Sequence, residues 1–334
     1  MKTEEKVYTI SDVADELGVS KTTVSRAISG KGRISSQTRE RVLEFIKVHD
    51  YQPNVLAKGL AQSKTFNLAL VLPMDFAGSE ISFFQECMHG ICEMAAAYNY
   101  DVVIVMTESE DLTQVRRVIA NRKVDGIILS RSVTDSSIQR FLREKKMPFV
   151  VIGYVEHSGI HWVDNRNQEA SKELTGIMLM KGMHRLALLE GNSGFRVTES
   201  RRAGFLEAHK ELGTPADESL IFSEVDSYLK AMKAVEQVLE AEADGIVCMD
   251  DYITNMVLGC LREKRIAVPS QIKLASLYDS QQLEKNTPPV TSLHFDTRAL
   301  GKNACLDLMA QLGEKIDQEK FPMNYQVILR ESTK

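Results

Sequence analysis

Apolar residues recur at helical spacing in two short segments near the amino terminus, separated by a glycine. The stripe of the first segment consists of Ile10, Val13, Ala14 and Leu17, and that of the second of Val24, Ala27 and Ile28. Residues spaced at i, i+3, i+4 and i+7 share one face of a helix, so the pattern predicts two amphipathic helices. Thr9 and Asp12 can form a capping box at the start of the first helix. Gly18 suits the turn between the helices, and Ser20 can cap the second one.

The outward positions of the second helix are all polar. They are Lys21, Thr22, Ser25 and Arg26. Short hydrogen-bonding side chains and an arginine on an exposed helix suit the reading of base edges in the DNA major groove. An ordinary helical hairpin with a solvated polar face is the alternative. The DNA-reading interpretation is favoured because Ser35 or Ser36 can cap a third helix, and three such helices make a small headpiece; the apolar repeat of the third helix is Val42, Phe45, Ile46 and His49.

A segment that cannot be a stable helix by itself follows the headpiece. Pro53 interrupts the helical pattern, and residues 55–61 read VLAKGLA. A helix this short that contains a glycine is unstable in water. We therefore expect residues 55–61 to be helical only against a partner.

From residue 66 onward, short apolar runs replace the helical spacing. The runs are Phe66–Leu72, Val102–Met106, Gly126–Leu129, Phe149–Ile152, Leu186–Leu189, Gly245–Cys248 and Leu274–Leu277. Helical stretches lie between them: Phe84–Tyr98, Leu112–Arg122, Glu169–Met180, Arg202–Leu212, Leu229–Glu240 and Asn255–Glu263. Strands buried on both faces have this composition, and their alternation with helices predicts an α/β fold of two lobes with parallel sheets. A ligand would bind in the crevice at the carboxyl ends of the strands.

The charge is unevenly distributed along the chain. The 334 residues carry a net charge of −5, and the length suggests two or three domains. Residues 1–64 hold 11 lysines and arginines against 8 acidic side chains, a net of +3. A basic headpiece on an acidic body suits phosphate binding, although +3 alone is weak evidence.

Neither membrane nor redox features stand out in the sequence. No apolar run approaches the length of a membrane span, and the amino terminus MKTEEKVYTI lacks the apolar core of a signal peptide, so we expect a cytoplasmic protein. The cysteines lack metal-ligand spacing, and we expect them to be reduced and mostly buried; they are Cys87, Cys92, Cys248, Cys260 and Cys305. We expect no metal and no cofactor.

Motifs typical of enzymes are missing from the sequence. GxSxG, GxxxxGK[ST] and HExxH do not occur, and the seven histidines do not cluster. Asp250 and Asp251 could in principle form a carboxylate pair, but adjacent residues do not face each other and no third ligand is apparent. We expect a protein that is not an enzyme.

Several runs resemble the lac repressor family of bacterial transcription regulators. They are DVADELGVSKTTVSRAISG at 12–30, YQPN at 51–54, VDGIILS at 124–130, VDNRNQEA at 163–170, RRAGF at 201–205 and TPPVTSLHFDTRALG at 287–301. The runs follow the family's order and spacing and cover nearly the whole chain. The resemblance implies a small all-α helix-turn-helix headpiece, a hinge helix and a two-lobed core like that of periplasmic binding proteins, with doubly wound parallel sheets.

The resemblance also implies a domain organisation. The DNA-binding headpiece would occupy residues 1–50, the hinge helix and linker 51–65, and the effector-binding and dimerisation core 66–334. Within the core, the amino-terminal lobe would hold about 66–163 plus 295–322 and the carboxy-terminal lobe about 164–292 plus 323–332.

DNA contacts are implied for a set of residues in the headpiece and hinge. They are Thr9, Ser20, Lys21, Thr22, Thr23, Ser25, Arg26, Asn54 and Leu60. Leu60 matches the position at which relatives insert a leucine between central operator bases through the minor groove, with a hinge-packing contact as the alternative. Gly59 departs from the better helix formers usual there, so we expect the free hinge to be disordered and to fold on DNA.

Effector contacts are implied for residues of both lobes. They are Asp75, Phe83, Trp162, Arg201, Asp250, Asp279 and Phe295. Arg201 suits bidentate contact with vicinal hydroxyls or a carboxylate, and Asp279 would accept a hydrogen bond from a hydroxyl. Asp250 stands where the family usually has asparagine. Trp162 could be core filler or a stacking platform for a sugar ring.

Departures from the family pattern bear on the ligand. Gly153 and Tyr154 follow a predicted strand where several members have an aspartate. The runs VVIGY and HWVDN look most like the maltose-type regulators, which implies an α-glucoside or a short glucose oligomer. A nucleobase or a phosphorylated cofactor protein is the alternative co-regulator in this family.

The expected assembly follows from the small footprint of one recognition helix. It contacts only a few base pairs, so two headpieces are needed to span two half-sites and we expect a homodimer. No leucine-heptad segment follows the strand-like run Tyr325–Leu329, which argues against a tetramer.

The resulting prediction is a repressor of sugar-utilisation genes that a small saccharide releases from its operator. One alternative is a repressor that needs its small molecule as a co-repressor, because the type of pocket does not fix the sign of the coupling. The other is a sugar-binding or sugar-processing protein that does not bind DNA.

Overall fold

Three short helices make up the described part of the amino-terminal unit. They are α1 (Ile10–Leu17), α2 (Lys21–Ser29) and α3 (Ser36–Val48). The computed structural model describes residues 8–29, 32–51, 59, 62–74, 80–108 and 110–334. By its internal contacts the chain divides into two units, residues 1–65 and residues 66–334.

The headpiece helices begin and end as the local sequence predicts. Thr9 Oγ1 accepts from the backbone N–H of Asp12, and the Asp12 carboxylate accepts from the backbone N–H of Thr9 at 2.7 Å, which completes the capping box. Gly18 ends α1 with a φ of 64°, a left-handed conformation that glycine adopts without a Cβ clash. Ser20 Oγ accepts from Thr23 N at 3.1 Å at the start of α2. The buried centre of the unit consists of Val13, Ala14, Val24, Ala27, Val42 and Tyr51.

The predicted hinge helix at residues 55–61 falls outside the described residues except for Gly59. Between residues 52 and 61, only Gly59 is described. The hinge helix and its folding on DNA therefore stay predictions.

Parallel strands form the sheet of the first lobe, in the spatial order β2-β1-β3-β4-β5. They are β1 (Asn67–Pro73), β2 (Asp101–Thr107), β3 (Gly126–Leu129), β4 (Phe149–Ile152) and β5 (His161–Val163). Side chains alternate between the two faces of β1, as the pleat requires. Leu68 and Leu70 pack into an apolar cluster on one face, and Ala69 and Val71 pack into a second cluster on the other. Both faces are therefore covered, which explains the continuous apolar runs.

The second lobe contains a sheet in the order β11-β10-β9-β8-β6-β7. Its strands are β6 (Leu186–Leu189), β7 (Ile221–Phe222), β8 (Gly245–Cys248), β9 (Lys273–Ser276), β10 (Thr291–Phe295) and β11 (Tyr325–Ile328). Neighbouring strands are parallel except β10 and β11. Ser332 and Thr333 are buried beside this sheet, where both bond to Thr291.

Helices cover the faces of both sheets. They are α4 (Glu80–Ala97), α5 (Thr113–Ala120), α6 (Ser137–Glu144), α7 (Asn167–Met180), α8 (Arg196–Glu211), α9 (Tyr228–Glu240), α10 (Asp251–Glu263), α11 (Gln281–Glu284) and α12 (Thr297–Gln311). The chain returns to the first lobe in α12, which packs on α4 and β4. A Cβ at Gly204 of α8 would lie 2.1 Å from the carbonyl oxygen of Gln168 in α7, so a side chain there would force the helices apart. This close crossing brings the start of α7 beside Arg201.

The apolar runs predict most of the strands of the two sheets. All seven predicted strands are present, each within one residue of its predicted bounds. The pattern does not predict β5, β7 and β10. β5 and β7 are three and two residues long, and β10, with the sequence TSLHF, mixes polar and apolar residues instead of forming a continuous apolar run.

The cysteines and the helix lengths add two further facts. Cys92 is exposed, and the other four cysteines are buried thiols. None of the helices within the described residues has the length and apolar character that a bilayer crossing demands.

Candidate functional site

The exposed face of α2 carries the polar side chains that the helical pattern places outward. Lys21, Thr22, Ser25 and Arg26 are exposed, whereas Val24 and Ala27 are buried in the headpiece core. The charged groups on this face, Lys21 and Arg26, are both cations. An ammonium suits a phosphate contact, and a guanidinium can bind O6 and N7 of guanine with two hydrogen bonds.

Three further hydroxyls implied in DNA contact are engaged at helix starts. Thr9 Oγ1 donates to the Asp12 carboxylate at 2.6 Å in the cap of α1. Ser20 and Thr23 share a hydrogen bond of 2.9 Å between their hydroxyls in the cap of α2. These residues fix where α1 and α2 begin, and helix amino termini also attract phosphate.

A cleft lies between the two lobes of the core at the carboxyl ends of the strands. It encloses about 250 Å³, close to the lower end of the roughly 300–1,000 Å³ of small-molecule sites. Residues that follow seven different strands line it: Ser130, Gly153, Asp164, Gly191, Val225, Asp250 and Tyr278. Phe83 of α4 and Arg201 of α8 also line it. The position agrees with the crevice predicted from the alternation of strands and helices.

Arg201 is held in the cleft by two hydrogen bonds. Its Nε donates to Asn167 Oδ1 at 3.0 Å, and its Nη1 donates to the carbonyl oxygen of Met249 at 2.7 Å. Burial lowers the pKa of the guanidinium, and Asp250 opposes that shift. The two bonds fix the plane of the guanidinium and do not use Nη2.

The VDNRN run supplies the support for Arg201. Asn167 Nδ2 donates to Asp164 Oδ1 at 3.0 Å, so the carboxylate orients the amide whose oxygen holds Arg201. Asp164 also accepts from the backbone N–H of Arg166. These hydrogen bonds link Asp164, at the crossing between the lobes, through Asn167 to the guanidinium of Arg201.

Two adjacent carboxyl groups enter the cleft after β8. Asp250 caps α10, where its Oδ1 accepts from Ile253 N at 2.8 Å. Burial raises the pKa of Asp250, while the Ile253 N–H and Arg201 favour its ionised form. Burial also raises the pKa of Asp251 to about 6, and the charge of Asp250 adds to the rise. This part of the cleft therefore favours a ligand that donates hydrogen bonds or carries positive charge.

Aromatic rings from both lobes meet at the cleft. The ring centroids of Phe83 and Tyr278 lie 6.2 Å apart with an edge-to-face angle of 74°. Tyr278 also stacks on Phe295 behind it, at 6.4 Å and 14°. Burial raises the pKa of the Tyr278 hydroxyl, so Tyr278 is neutral. Such rings offer an apolar wall to a sugar or another flat ligand.

Two backbone hydrogen bonds join the lobes beside the cleft, and we call this contact the interlobe bridge. Thr134 N donates to the carbonyl of Gly194 at 3.1 Å, and Arg196 N donates to the carbonyl of Ser132 at 3.2 Å. The guanidinium of Arg131, on the first lobe, lies 4.1 Å from the ring centroid of Phe195 on the second. The structure therefore shows the lobes in contact with each other.

Asp279 is not among the residues that line the cleft, and its predicted role in effector binding stays a prediction. Its carboxylate accepts from Arg330 Nη1 at 2.7 Å and from Ser292 Oγ at 2.6 Å. The turn after β9 presents Tyr278 to the cleft and directs the next side chain to β10 and the carboxy-terminal segment. Asp279 is thus engaged in a nearly buried ion pair.

Trp162 and Phe295 do not line the cleft either. Trp162 is 40% exposed on the edge strand β5 and packs edge to face on Tyr154, at 5.2 Å. It is therefore neither core filler nor part of the cleft wall. Phe295 is 4% exposed and lies behind Tyr278 and Arg201, the Cζ of which is 6.0 Å from its ring centroid.

Three predicted site residues lie outside the described residues. They are Asn54, Leu60 and Asp75. Their predicted contacts with DNA and effector stay predictions.

Several cleft residues are missing from the sequence prediction. They are Ser130, Arg131, Asn167, Asp251 and Tyr278. Ser130 and Arg131 follow β3 directly, so the rule that ligands bind beyond the carboxyl ends of parallel strands could have found them. Ser130 Oγ is buried and has no hydrogen-bond partner in the structure.

Metal-binding groupings are missing from the part of the chain that the structure describes. No cluster of three or more histidine, cysteine, aspartate or glutamate side chains there could hold a metal ion.

Two family models match the chain. Residues 9–54 match bacterial regulatory proteins of the lacI family. Residues 65–327 match the periplasmic binding proteins and sugar binding domain of the LacI family. Together they agree with the headpiece and with the two-lobed α/β core of the structure.

Transcription regulators are similar to this chain over most of their length. Catabolite control protein A of Staphylococcus aureus is 27% identical over 334 residues, covering 98% of this chain and 99% of that protein. The HTH-type transcriptional regulator MalR of Streptococcus pneumoniae is 29% identical, covering 83% and 88%. The solved lac repressor dimer, bound to operator and the anti-inducer ONPF, has the same fold, with a TM-score of 0.77, 20% identity and coverage of 98% and 99%. The chain belongs to the LacI family of bacterial regulatory proteins and is a DNA-binding transcription regulator.

Proposed function

We propose that this regulator is a homodimeric repressor that leaves its operator when a small saccharide binds in the cleft. The observation that carries the proposal is the fixed guanidinium of Arg201 at the junction of two lobes, opposite acceptors and aromatic rings. Guanidinium and carboxylate groups recognise hydroxyls through directional hydrogen bonds, and rings cover the apolar faces of a sugar. Because operator DNA lies in the bacterial cytoplasm, we place the protein there.

The headpiece would read the operator through the outward face of α2. We assign base contact to Arg26 and contacts with bases or flanking phosphates to Lys21 and Thr22. Ser25, Ser20, Thr23 and Thr9 would support the docking through hydroxyl or helix-terminus contacts with phosphates. The hinge residues Asn54 and Leu60 would complete the contact in the minor groove.

Dimerisation is supported by exposed apolar side chains at an edge strand of the first lobe. β2 is an edge strand, and Ile104 on it is 43% exposed. Met74, which follows the adjacent β1, is 56% exposed. An exposed strand edge with apolar side chains can pair with a two-fold related copy, and two copies bring two headpieces to one operator.

The coupling would work through the position of the lobes. A ligand that contacts Phe83 on one lobe and Arg201 on the other favours one arrangement of the two. A coupling of about 1–3 kcal/mol would change operator affinity roughly 5–150-fold. We propose an α-glucoside or short glucose oligomer as the ligand, on the strength of the VVIGY and HWVDN runs and the similarity to MalR.

We also propose that the cleft binds its ligand without chemistry. The relatives are transcription regulators, and Asp250 serves as a helix cap while its neighbour Asp251 is buried beside it. The phosphorylated co-regulator and the nucleobase have no specific observation in their favour in this cleft.

The test is operator affinity, measured by fluorescence anisotropy with and without maltose or maltotriose. The wild-type chain should bind operator and release it when saccharide is added. Arg201→Ala should bind operator normally and lose the response, while Arg185→Ala, at an exposed ion pair of the same lobe, should respond like the wild type. Tighter operator binding with saccharide would establish co-repression instead. A normal response in Arg201→Ala would remove Arg201 from the site.

A further inference from the structure

The described lining of the cleft carries more negative than positive charge. Four carboxyl groups line it, those of Asp164, Asp226, Asp250 and Asp251, against the guanidinium groups of Arg131 and Arg201. A neutral sugar would leave this imbalance unchanged. Which ligand the cleft prefers therefore depends on where these charges lie.

Two of the carboxylates already have partners. Asp226 is exposed and bonds to Lys230 Nζ at 2.7 Å. Asp164 accepts from the backbone of Arg166 and from the Asn167 amide. Asp250 likewise accepts from a neutral donor, Ile253 N, so the excess charge is shared among Asp164, Asp250 and Asp251, of which the last two are adjacent after β8.

Arg201 does not neutralise that pair by direct contact. Its hydrogen bonds go to Asn167 and to the carbonyl oxygen of Met249, and the ion pairs of the described residues include none between Arg201 and Asp250 or Asp251. Asp251 is only 4% exposed, so water compensates its charge poorly. Burial accordingly raises the pKa of both carboxyl groups.

A second, independent feature of the same cleft points to a ligand. Ser130 is 4% exposed, and its Oγ has no hydrogen-bond partner. It lines the cleft from the first lobe, whereas the two carboxylates line it from the second. A buried hydroxyl without a partner costs free energy unless a ligand supplies the missing bond.

We propose that the effector is a hydroxylated molecule that carries an ammonium group, of which an amino sugar is the simplest example. The ammonium would bind at Asp250 and Asp251, and hydroxyls of the ring would bond to Ser130 Oγ and to Arg201 Nη2. The rings of Phe83 and Tyr278 would cover the apolar face. The inference rests on the proposed function, a repressor released by a saccharide in this cleft, and replaces the neutral glucoside proposed above with an aminated sugar.

The experiment compares cationic and neutral sugars with matched hydroxyl frameworks on the full chain. Isothermal titration calorimetry at constant ionic strength would use glucosamine against glucose, and the β-1,4-linked glucosamine dimer against cellobiose. In whichever of the two pairs binds to the protein, the amino sugar should have about tenfold or greater affinity than its neutral counterpart. The reason is that a charge-assisted hydrogen bond is about twice as strong as a neutral one. Equal or tighter binding of the neutral sugar overturns the inference, as does binding of maltose when neither amino sugar binds.

Variants identify the residues responsible. Asp251→Asn should lower the ratio of amino-sugar to neutral-sugar affinity about tenfold. Asp250→Asn is the second variant, since asparagine also caps a helix and keeps α10 in place. Asp217→Asn, at an exposed ion pair with Arg185, is the matched control and should leave the ratio unchanged. An unchanged ratio in both cleft variants contradicts the assignment.

The two proposals fail in different ways. If neutral saccharides release the operator and amino sugars bind no more tightly, the ammonium is wrong and the saccharide-released repressor stands. If no saccharide of either kind changes operator affinity, both proposals fall. Release of operator by an amino sugar at lower concentration than by its neutral counterpart supports both.

Discussion

The headpiece and the cleft place their functional side chains in opposite ways. The side chains proposed to read the major groove, Lys21, Thr22 and Arg26, lie within the nine residues of α2, and one small apolar core holds this helix. The cleft draws on residues from Phe83 to Leu300, which two separate lobes bring together. A face on a single helix is as rigid as the unit beneath it, whereas a site between two lobes changes when the lobes move. The first suits constant recognition of DNA, and the second suits a response to a ligand.

The largest effect is expected from a substitution that disrupts the headpiece and leaves the cleft unchanged. Val24→Asp places a charge in the headpiece core, where Val24 is 0% exposed. Burying an unpaired charge costs more than about 3 kcal/mol, which is comparable with the stability of so small a unit. We expect operator affinity to fall at least about 100-fold. Ligand affinity of the cleft, measured by calorimetry, should stay at the wild-type value.

The control makes the same substitution on the headpiece surface. Val48 at the end of α3 is 70% exposed, so Val48→Asp should keep the headpiece folded. Hydrogen exchange of the α1 and α2 amides in the full chain distinguishes the two variants. Loss of ligand binding in Val24→Asp would mean that the two regions are not energetically separate.

The second effect concerns base reading by the headpiece. Arg26→Ala should weaken operator binding by about 1–3 kcal/mol if the guanidinium binds a guanine. Binding to random DNA should weaken much less, because non-specific binding depends on phosphates. Gel-shift titrations of both DNAs at one salt concentration measure the difference. Equal losses on the two DNAs would make Arg26 a phosphate contact, and Lys47→Ala on α3 serves as a charge-matched control.

The third effect is the pH dependence of the stability of the core. The pKa of Asp251 is raised from 3.8 to about 6, so the folded state binds the proton more tightly than the unfolded state. The contribution of Asp251 is therefore present at low pH and is lost as the pH rises through about 4 to 6. Asp251→Asn should remove this loss and stabilise the core at pH 7.5 by up to about 3 kcal/mol.

Urea unfolding at pH 4.5 and pH 7.5 measures that effect. The gain from Asp251→Asn should be present at pH 7.5 and much smaller at pH 4.5. Asp217 is the control, because hydrogen bonds from Ser219 lower its pKa, whereas burial raises the pKa of Asp251. Asp217→Asn should not stabilise the core at pH 7.5. A gain from Asp251→Asn that does not depend on pH would show that its charge is not the cause.

The smallest effect tests how local the headpiece structure is. Thr9→Ala removes the hydroxyl of the capping box and should destabilise α1 by about 1 kcal/mol. Thr22→Ala, on the exposed face of α2, should leave stability unchanged or slightly raised, since alanine has the higher helix propensity. Hydrogen exchange of the α1 amides compares the two. Equal protection in both variants would mean that packing, and not the cap, holds the start of α1.

Interactions that are close in sequence were predictable in this molecule. The capping box joins Thr9 to Asp12, and the helical stripe repeats every three or four residues. A short stretch of sequence therefore contains all the residues that determine where this helix forms. The same holds for buried strands such as β3 and β4, because helices on both faces require apolar side chains at every position.

Side-chain directions in the cleft depend on distant residues and were predicted less well. Tyr278 and Asp279 are neighbours after β9. Tyr278 lines the cleft, whereas Asp279 pairs with Arg330, which lies 51 residues further along the chain. Trp162 faces outward because Val163 beside it takes the inward position on a strand of three residues. No local pattern contains this information.

The interlobe bridge has a consequence for time as well as for equilibrium. Thr134 and Arg196 donate the two backbone hydrogen bonds that hold the lobes together beside the cleft. If the lobes must part for the effector to leave, breaking two such bonds adds about 1–3 kcal/mol to the barrier, which slows departure roughly 5–150-fold. The ligand would then dissociate more slowly than it would from a cleft without these two hydrogen bonds.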